Sequence, residues 1–99
     1  MLNQIILVGR LVDNPLLEET ENGKNIATIM LAVPRAFKND NGEYENNFIP
    51  VSLVGQVACS VNEYCKKGDL VGIKGRVARL SNTSEIQIIA EKVTFLSNK

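Results

Sequence analysis

Residues 56–68, QVACSVNEYCKKG, form the one segment of the chain in which apolar side chains recur with a helical period. The apolar positions are spaced i, i+1, i+4, i+7 and i+8 along one helix face: Val57, Ala58, Val61, Tyr64 and Cys65. Two lysines follow, which complement a helix C-terminus, and Gly68 is well suited to end the helix. The pattern predicts a helix over residues 56–67 and places Tyr64 on its core-facing side.

Strand-like segments rich in Ile, Leu and Val flank this helix on both sides. Three precede it, over residues 4–12, 25–35 and 48–54, and two follow it, over residues 69–80 and 85–96. Three strands, one helix and two strands, in that order, predict an all-β protein with one short helix: a five-stranded, partly open Greek-key barrel of the OB type. The chain has the length of one domain, so we expect the whole of it to form a single OB-fold domain.

Several residues are expected to bound or interrupt these strands. Gly9 marks a bulge or a close approach in the first strand. Pro34 marks an edge or a bulge in the second, because proline cannot donate a ladder hydrogen bond. The polar residues 36–47 predict a long hairpin tip. Phe95, on the apolar face of the last strand, is expected in the core, as is Tyr64.

The composition argues against most kinds of catalytic site and metal-binding site. The chain contains no His, which is the commonest general base and metal ligand, and Cys59 and Cys65 lack the spacing of a zinc or redox motif. No Ser, Cys or Lys has a recognisable activating base, so we expect a protein that is not an enzyme and uses no cofactor or metal. Without a membrane-length apolar run or a signal peptide, the chain is expected to be cytoplasmic, with unbridged thiols and no membrane partner.

Two local features indicate a nucleic-acid-binding surface on a chain whose net charge is zero. Residues 66–79 carry five cations against Asp69 alone, and such a basic strip can follow a phosphate backbone. Phe37 and Phe48 stand near strand ends, and Phe37 is flanked by cations, as in a base-stacking platform. The alternatives are a solvated strand face for the charges and a place in the core for the two rings.

The first strand predicts self-association. Its odd-numbered apolar residues lie on one face and Ile6 and Val8 on the other, and one barrel can cover only one of these faces. An apolar second face beside an unpaired strand edge favours pairing with another chain. We therefore expect a symmetric homodimer in which two first strands pair antiparallel through Gln4, Ile6 and Val8.

Several segments, taken in order along the chain, carry a family resemblance. They are residues 3–11, NQIILVGRL, followed by Asp13-Asn14-Pro15; residues 26–33, IATIMLAV; and residues 63–71, EYCKKGDLV. Together they closely resemble the bacterial single-stranded DNA-binding proteins over nearly the whole chain. The resemblance implies an OB fold, dimers or tetramers, and sequence-tolerant binding of single-stranded DNA in replication, recombination or repair.

The chain also departs from the pattern of that family. Phe37 and Phe48 stand at two positions where the family stacks bases on aromatic rings, but a further such position is Val54 and another falls near Asn82. The sequence ends at Lys99, directly after the last strand, so we expect either a truncated chain or a short member or paralogue without the acidic-tipped tail of the family.

The expected site is a cationic groove with two stacking rings: Arg10, Arg35, Phe37, Lys38, Phe48, Lys74, Arg76 and Arg79. The expected partners are single-stranded DNA and further copies of the chain, as a homodimer or a homotetramer. An alternative is an accessory protein, similar to the primosomal protein that resembles this family, which acts on replication-restart or mobile-element replication proteins and binds DNA weakly. RNA in place of DNA also stays open, since stacking platforms distinguish the two sugars poorly.

Overall fold

A computed structural model describes residues 1–79 and 83–97 of the protein. Within these ranges six strands and one helix occur in this order: β1 (Ile5–Leu11), β2 (Leu16–Glu19), β3 (Asn25–Lys38), β4 (Tyr44–Val54), α1 (Gln56–Tyr64), β5 (Leu70–Arg79) and β6 (Ile86–Phe95). Across the same residues, the structure contains no helix with the length and apolar character needed to span a membrane.

The strands form one sheet that closes into a barrel. Its order is β1-β5-β6-β4-β3-β2, and the end of β1 also pairs with β3 at Arg10 and Leu11. β1 and β2 act as two halves of one bent strand, because both pair with β3 and the turn residues Asp13-Asn14-Pro15 lie between them. Counted in this way the barrel has five strands, with α1 between the third and the fourth, and the expected OB fold is confirmed.

Alternating strand residues fill the interior of the barrel. The largest fully buried side chains are Ile29, Leu31, Val51, Leu53, Val61, Val71 and Ile73. α1 adds Ala58 and Val61 to this core. Gly9 lies where β1 crosses β3, and a Cβ atom at that position would stand 2.7 Å from the carbonyl oxygen of Ala32. The close approach expected at Gly9 is therefore confirmed, and a larger residue would force the two strands apart.

The β3–β4 hairpin has longer strands and a shorter loop than the sequence predicts. β3 continues to Lys38 and β4 begins at Tyr44, so the tip expected over residues 36–47 contracts to residues 39–43. The side-chain oxygen of Asn39 accepts hydrogen bonds from two backbone N–H groups in this tip, at 2.9 and 3.0 Å. Such local side-chain bonds favour a tight turn, which lets the strands extend further than the polar composition indicates.

Two aromatic residues expected in the core lie at the surface instead. Tyr64 is 60% exposed and Phe95 is 46% exposed, with their ring centroids 6.0 Å apart. The helix ends at Tyr64 and not at residue 67, because the backbone N–H of Lys67 donates to the side-chain oxygen of Asn14, 2.8 Å away, and draws the chain toward the first strand. Phe95 is the last residue of β6. Both rings line an open surface pocket with Cys65, Asp69 and Leu70, and the expectation of core positions is wrong.

Candidate nucleic-acid interface

The outer face of β4 presents Phe48 to solvent. Side chains alternate across a strand, so the buried residues Val51 and Leu53 of β4 face the core and its even-numbered residues face outward. Phe48 is 63% exposed on that outer face and is followed there by Pro50, Ser52 and Val54. The ring is thus a surface feature, and its contact with DNA stays a prediction.

Arg10 shares this outer face with Phe48. Arg10 of β1 lies opposite Ala32 of β3, and Ala32 lies opposite Phe48 of β4. Neighbouring strands are about 4.8 Å apart, so the backbones of Arg10 and Phe48 are separated by about 10 Å. One guanidinium nitrogen of Arg10 donates to the carbonyl oxygen of Gly68 at 3.1 Å. A guanidinium has five N–H donors, so this bond holds the Arg10 side chain and leaves donors for a phosphate.

The β3–β4 hairpin carries Phe37 on a bulge. The register of the two strands shifts between Pro34 and Lys38, which confirms the irregularity expected at Pro34. The shift leaves residues 35–37 of β3 opposite Glu45 alone. A bulge turns strand residues away from the regular pleat, and Phe37 is 85% exposed. The most exposed aromatic side chain of the described structure therefore stands on a defined part of a hairpin and not on an irregular loop.

The two cations that flank Phe37 differ in their surroundings. Arg35 forms an ion pair with Glu45, at 3.1 Å, and donates a second hydrogen bond to the side-chain oxygen of Asn47 at 3.0 Å. Lys38 instead holds its ammonium group over the ring of Tyr44, 5.6 Å from the centroid. Lys38 is exposed and remains able to meet a phosphate, whereas the charge of Arg35 is already compensated.

Tyr44 is a surface aromatic that sequence reasoning left unassigned. It lies directly opposite Lys38 at the start of β4 and is 58% exposed. The signal that could have identified it is the Asn41-Gly42 turn, which sets the hairpin register that places residue 44 beside residue 38. Together with Phe37 and Lys38, it places two exposed rings and one exposed lysine near the tip of this hairpin.

The cations of β5 divide between different parts of the surface. Arg76 lies opposite Ile89 of β6, and Ile89 lies opposite Ser52 of β4. This register places Arg76 on the outer face that carries Phe48. The guanidinium of Arg76 lies 3.7 Å from the carboxylate of Glu91, a loose and exposed ion pair.

Lys74 and Arg79 lie away from that part of the outer face. Lys74 stands between Ile6 of β1 and Lys92 of β6 in the sheet register. Arg79 is three residues beyond Arg76, so its side chain points to the opposite side of the β5–β6 ribbon. The basic strip of the sequence therefore divides between the segment before β5, with Lys66 and Lys67, and β5 itself, whose cations lie on two faces. Of the β5 cations, Arg76 is the nearest to Phe48 in register.

Two further positions, at which the resembled family has aromatic residues, are Val54 and Asn82 in this chain. Val54 lies on the outer face of β4, 41% exposed, opposite Ile26 of β3. It continues the face of Phe48 with an apolar side chain that has no ring. Asn82 lies outside the described residues.

The residues of β1 that are predicted to form the homodimer interface lie at the surface. Ile6 is 67% exposed, Val8 is 49% exposed, and Gln4 is also exposed. β1 pairs with β5 from Ile5 to Arg10 on one edge, but with β3 only at Arg10 and Leu11 on the other. Within the described residues, the second edge of β1 before Arg10 thus has no strand partner.

Comparison with known proteins identifies relatives of this chain. Residues 2–96 match the model of the single-strand binding protein family. The chain is 38% identical to Single-stranded DNA-binding protein B of Bacillus subtilis (strain 168), over all of this chain and 94% of that protein. It is 40% identical to Single-stranded DNA-binding protein 2 of Staphylococcus aureus (strain COL), over all of this chain and 76% of that protein.

Comparison with solved structures identifies the same family of proteins. The crystal structure of the wild-type single-stranded DNA binding protein from Thermus aquaticus superposes with a TM-score of 0.81 at 28% identity, over 99% of this chain. The chain spans about half of that protein, since the match covers 52% of its length. Fold, family match and relatives agree with the resemblance carried by the sequence segments, and the chain belongs to the single-strand binding protein family.

Proposed function

We propose that this protein binds single-stranded DNA with little sequence preference and catalyses no reaction. The observation that carries the proposal is the placement of Phe37 and Phe48, two exposed rings on one β-hairpin, with Arg10 in line with Phe48, Lys38 next to Phe37 and Arg76 further along the outer face. Aromatic rings accept any base, since every base has a face that can stack. The names of the relatives from Bacillus subtilis and Staphylococcus aureus support the same ligand.

In the proposed mechanism, bases stack on Phe37 and Phe48 while cations contact the phosphates between them. Each stacked base contributes about 1–3 kcal/mol, so two rings on one chain give modest binding. Val54 stands at a further platform position but offers only an aliphatic surface. Binding by one copy is therefore expected to be weaker than binding by a chain with a full set of rings.

The proposed assembly is a symmetric homodimer formed by the open edge of β1. Antiparallel pairing of two β1 strands satisfies the unpaired backbone groups and covers Ile6 and Val8, which are exposed in a single copy. Two interfaces joined in this way hold one DNA strand by avidity, which offsets the small number of rings. The whole chain then acts as one nucleic-acid-binding domain per copy.

The biological setting follows from the ligand. We place the protein in DNA replication, recombination or repair, where single strands are exposed, and in the cytoplasm, where its cysteines stay unbridged. The relatives named above are single-stranded DNA-binding proteins, which does not favour the alternative of an accessory protein that acts through protein partners.

The experiment that tests the proposed function is a salt-titrated binding assay with oligo-dT of several lengths. We expect nanomolar affinity at moderate salt and a linear decrease of log affinity with log salt concentration. Micromolar affinity for every length would overturn the proposal in favour of a protein-directed role. A parallel series with oligo-U decides between DNA and RNA as the preferred ligand.

A further inference from the structure

Glu45 is the one β4 residue that faces the whole Phe37 bulge. β3 and β4 are in register up to Pro34 and again from Lys38, and between these points residues 35–37 lie opposite Glu45 alone. The extra β3 residues have no β4 backbone partner in the ladder, so this part of the hairpin has fewer regular constraints than the rest. Side-chain contacts can therefore add order to the bulge that the ladder does not supply.

The carboxylate of Glu45 supplies that order by connecting the two ends of the bulge. One oxygen accepts from the guanidinium of Arg35 at 3.1 Å, and the other accepts from the side-chain amide of Asn39 at 3.1 Å. Arg35 is fixed further by its bond to Asn47 at 3.0 Å. Phe37 lies between Arg35 and Asn39 in the sequence, so Glu45 ties down the chain on both sides of the exposed ring.

We propose that Glu45 is a positioning residue for base stacking, which holds the bulge so that the Phe37 ring is already oriented when DNA arrives. The inference rests on the proposed function, because it concerns how the stacking platform works. An exposed ring on an untethered bulge loses freedom when a base stacks on it, and this loss weakens binding. Glu45 reduces that loss in advance, although a carboxylate beside a DNA strand is electrostatically unfavourable.

The same geometry assigns Arg35 a structural role. Two of its N–H groups are used by Glu45 and Asn47, and its charge is compensated within the hairpin. A phosphate contact removed by mutation lowers the slope of log affinity against log salt by about 0.7 for a single strand. Replacing Arg35 by Gln is accordingly expected to weaken binding while leaving this slope unchanged. A slope reduced by about 0.7 would instead show that Arg35 contacts a phosphate, as expected from the sequence.

The matched pair of variants for the proposal is Glu45→Gln and Glu43→Gln. Both remove one negative charge from the same hairpin, but the contacts of Glu43 within the hairpin are made by its backbone. Non-specific electrostatics favour DNA equally in both variants, so their difference reports positioning. We expect Glu45→Gln to bind oligo-dT about three- to tenfold more weakly than Glu43→Gln, since one exposed ion pair and one hydrogen bond are weakened. In a Phe37→Ala background the two variants should bind alike.

Two results with the native Phe37 ring in place would overturn the positioning role of Glu45, and a third concerns the Phe37→Ala background. One is equal or tighter binding by Glu45→Gln than by Glu43→Gln. The other is a salt slope about 0.7 steeper for Glu45→Gln, which would mean that Glu45 competes with DNA for Arg35 instead of orienting Phe37. Persistence of the difference in the Phe37→Ala background would likewise assign the effect to something other than the ring.

A measurement without DNA separates this inference from the proposed function. The chain contains no Trp, so Phe37→Trp introduces a single fluorescent reporter on the bulge. Adding Glu45→Gln to that variant is expected to lower the fluorescence anisotropy of the indole at position 37, whereas adding Glu43→Gln leaves it unchanged. Lowered anisotropy in a protein that binds no oligonucleotide would refute the function but keep the tether. Unchanged anisotropy in a protein that binds DNA tightly would refute the tether alone.

Discussion

Ile6 of β1 and Lys74 of β5 lie directly opposite each other in antiparallel register. The sequence assigns Ile6 to self-association and Lys74 to DNA, but the fold places both on the same part of the outer face. Arg76, two residues along the same strand, instead lies in line with Ser52 on the face of Phe48. The position of each cation on the barrel, more than the net charge of the segment, therefore determines which one can reach a base stacked on Phe48.

Removing the β5 cations should change the salt dependence of DNA binding. Arg76 shares the outer face with Phe48 and Arg79 points to the opposite side of the ribbon, so the double variant Arg76→Ala/Arg79→Ala is expected to lower the slope of log affinity against log salt by about 0.7, through Arg76 alone. Equilibrium binding to oligo-dT at several salt concentrations measures this slope. Lys24→Ala, in the β2–β3 turn, is the control for loss of charge elsewhere. An unchanged slope in the double variant would remove Arg76 from the interface.

Truncating Phe37 should affect binding but not folding. Because the ring is 85% exposed, Phe37→Ala is expected to cost about 1–3 kcal/mol of binding and to leave the free energy of unfolding almost unchanged. Titration with oligo-dT and urea denaturation measure the two quantities. Phe95→Ala is the control, since Phe95 lies at the last residue of β6, away from the hairpin. A destabilisation of about 3–5 kcal/mol by Phe37→Ala would instead be the signature of a core residue.

Adding a ring at position 54 should strengthen binding. Val54 faces outward from β4 and is partly exposed, so Val54→Phe adds a stacking surface without disturbing the core. We expect a gain of up to about 1–3 kcal/mol in binding to oligo-dT. Leu96→Phe, at an exposed position beside Gly72, serves as the control for added hydrophobic surface. Equal gains in the two variants would show that position 54 does not contact the strand.

Two charges on β1 should separate the proposed dimer. Ile6→Glu combined with Val8→Glu places like charges at the paired edges of both copies, so the double variant is expected to be a monomer that binds DNA more weakly. Light scattering gives the mass of the native and variant proteins. A native mass near the 10.9 kDa of one chain at micromolar concentration would refute the dimer.

The sequence predicts those parts of the molecule that depend on local pattern. The alternation in β1, which buries Leu11 and exposes Ile6 and Val8, is visible as a period of two, and α1 is visible as a period of 3.6. The barrel order follows from the position of the helix among the strands. The short strand β2 is less visible, because its two glutamates resemble a turn, and only pairing with β3 makes it a strand.

Features that depend on register or on where an element ends are not visible in the sequence. Tyr64 continues the apolar face of α1, but the helix stops there and the ring lies at the surface beside Phe95. Arg35 reads as a cation beside an aromatic residue, and its partner Glu45 becomes apparent only when the bulge places the two side by side. The residues of a binding surface can thus be predicted more readily than the intramolecular contacts that these residues make in the folded protein.

Photo-crosslinking locates the DNA on the protein surface. Oligo-dT carrying 5-iodouracil, irradiated in complex with the native protein and analysed by mass spectrometry, identifies the aromatic residues that stack on bases. The described residues offer two exposed aromatic sites: the β3–β4 hairpin with Phe37 and Phe48, and the Tyr64–Phe95 pair. We predict cross-links at Phe37 and Phe48. Cross-links at Tyr64 or Phe95, with none on the hairpin, would contradict the interface proposed for this protein.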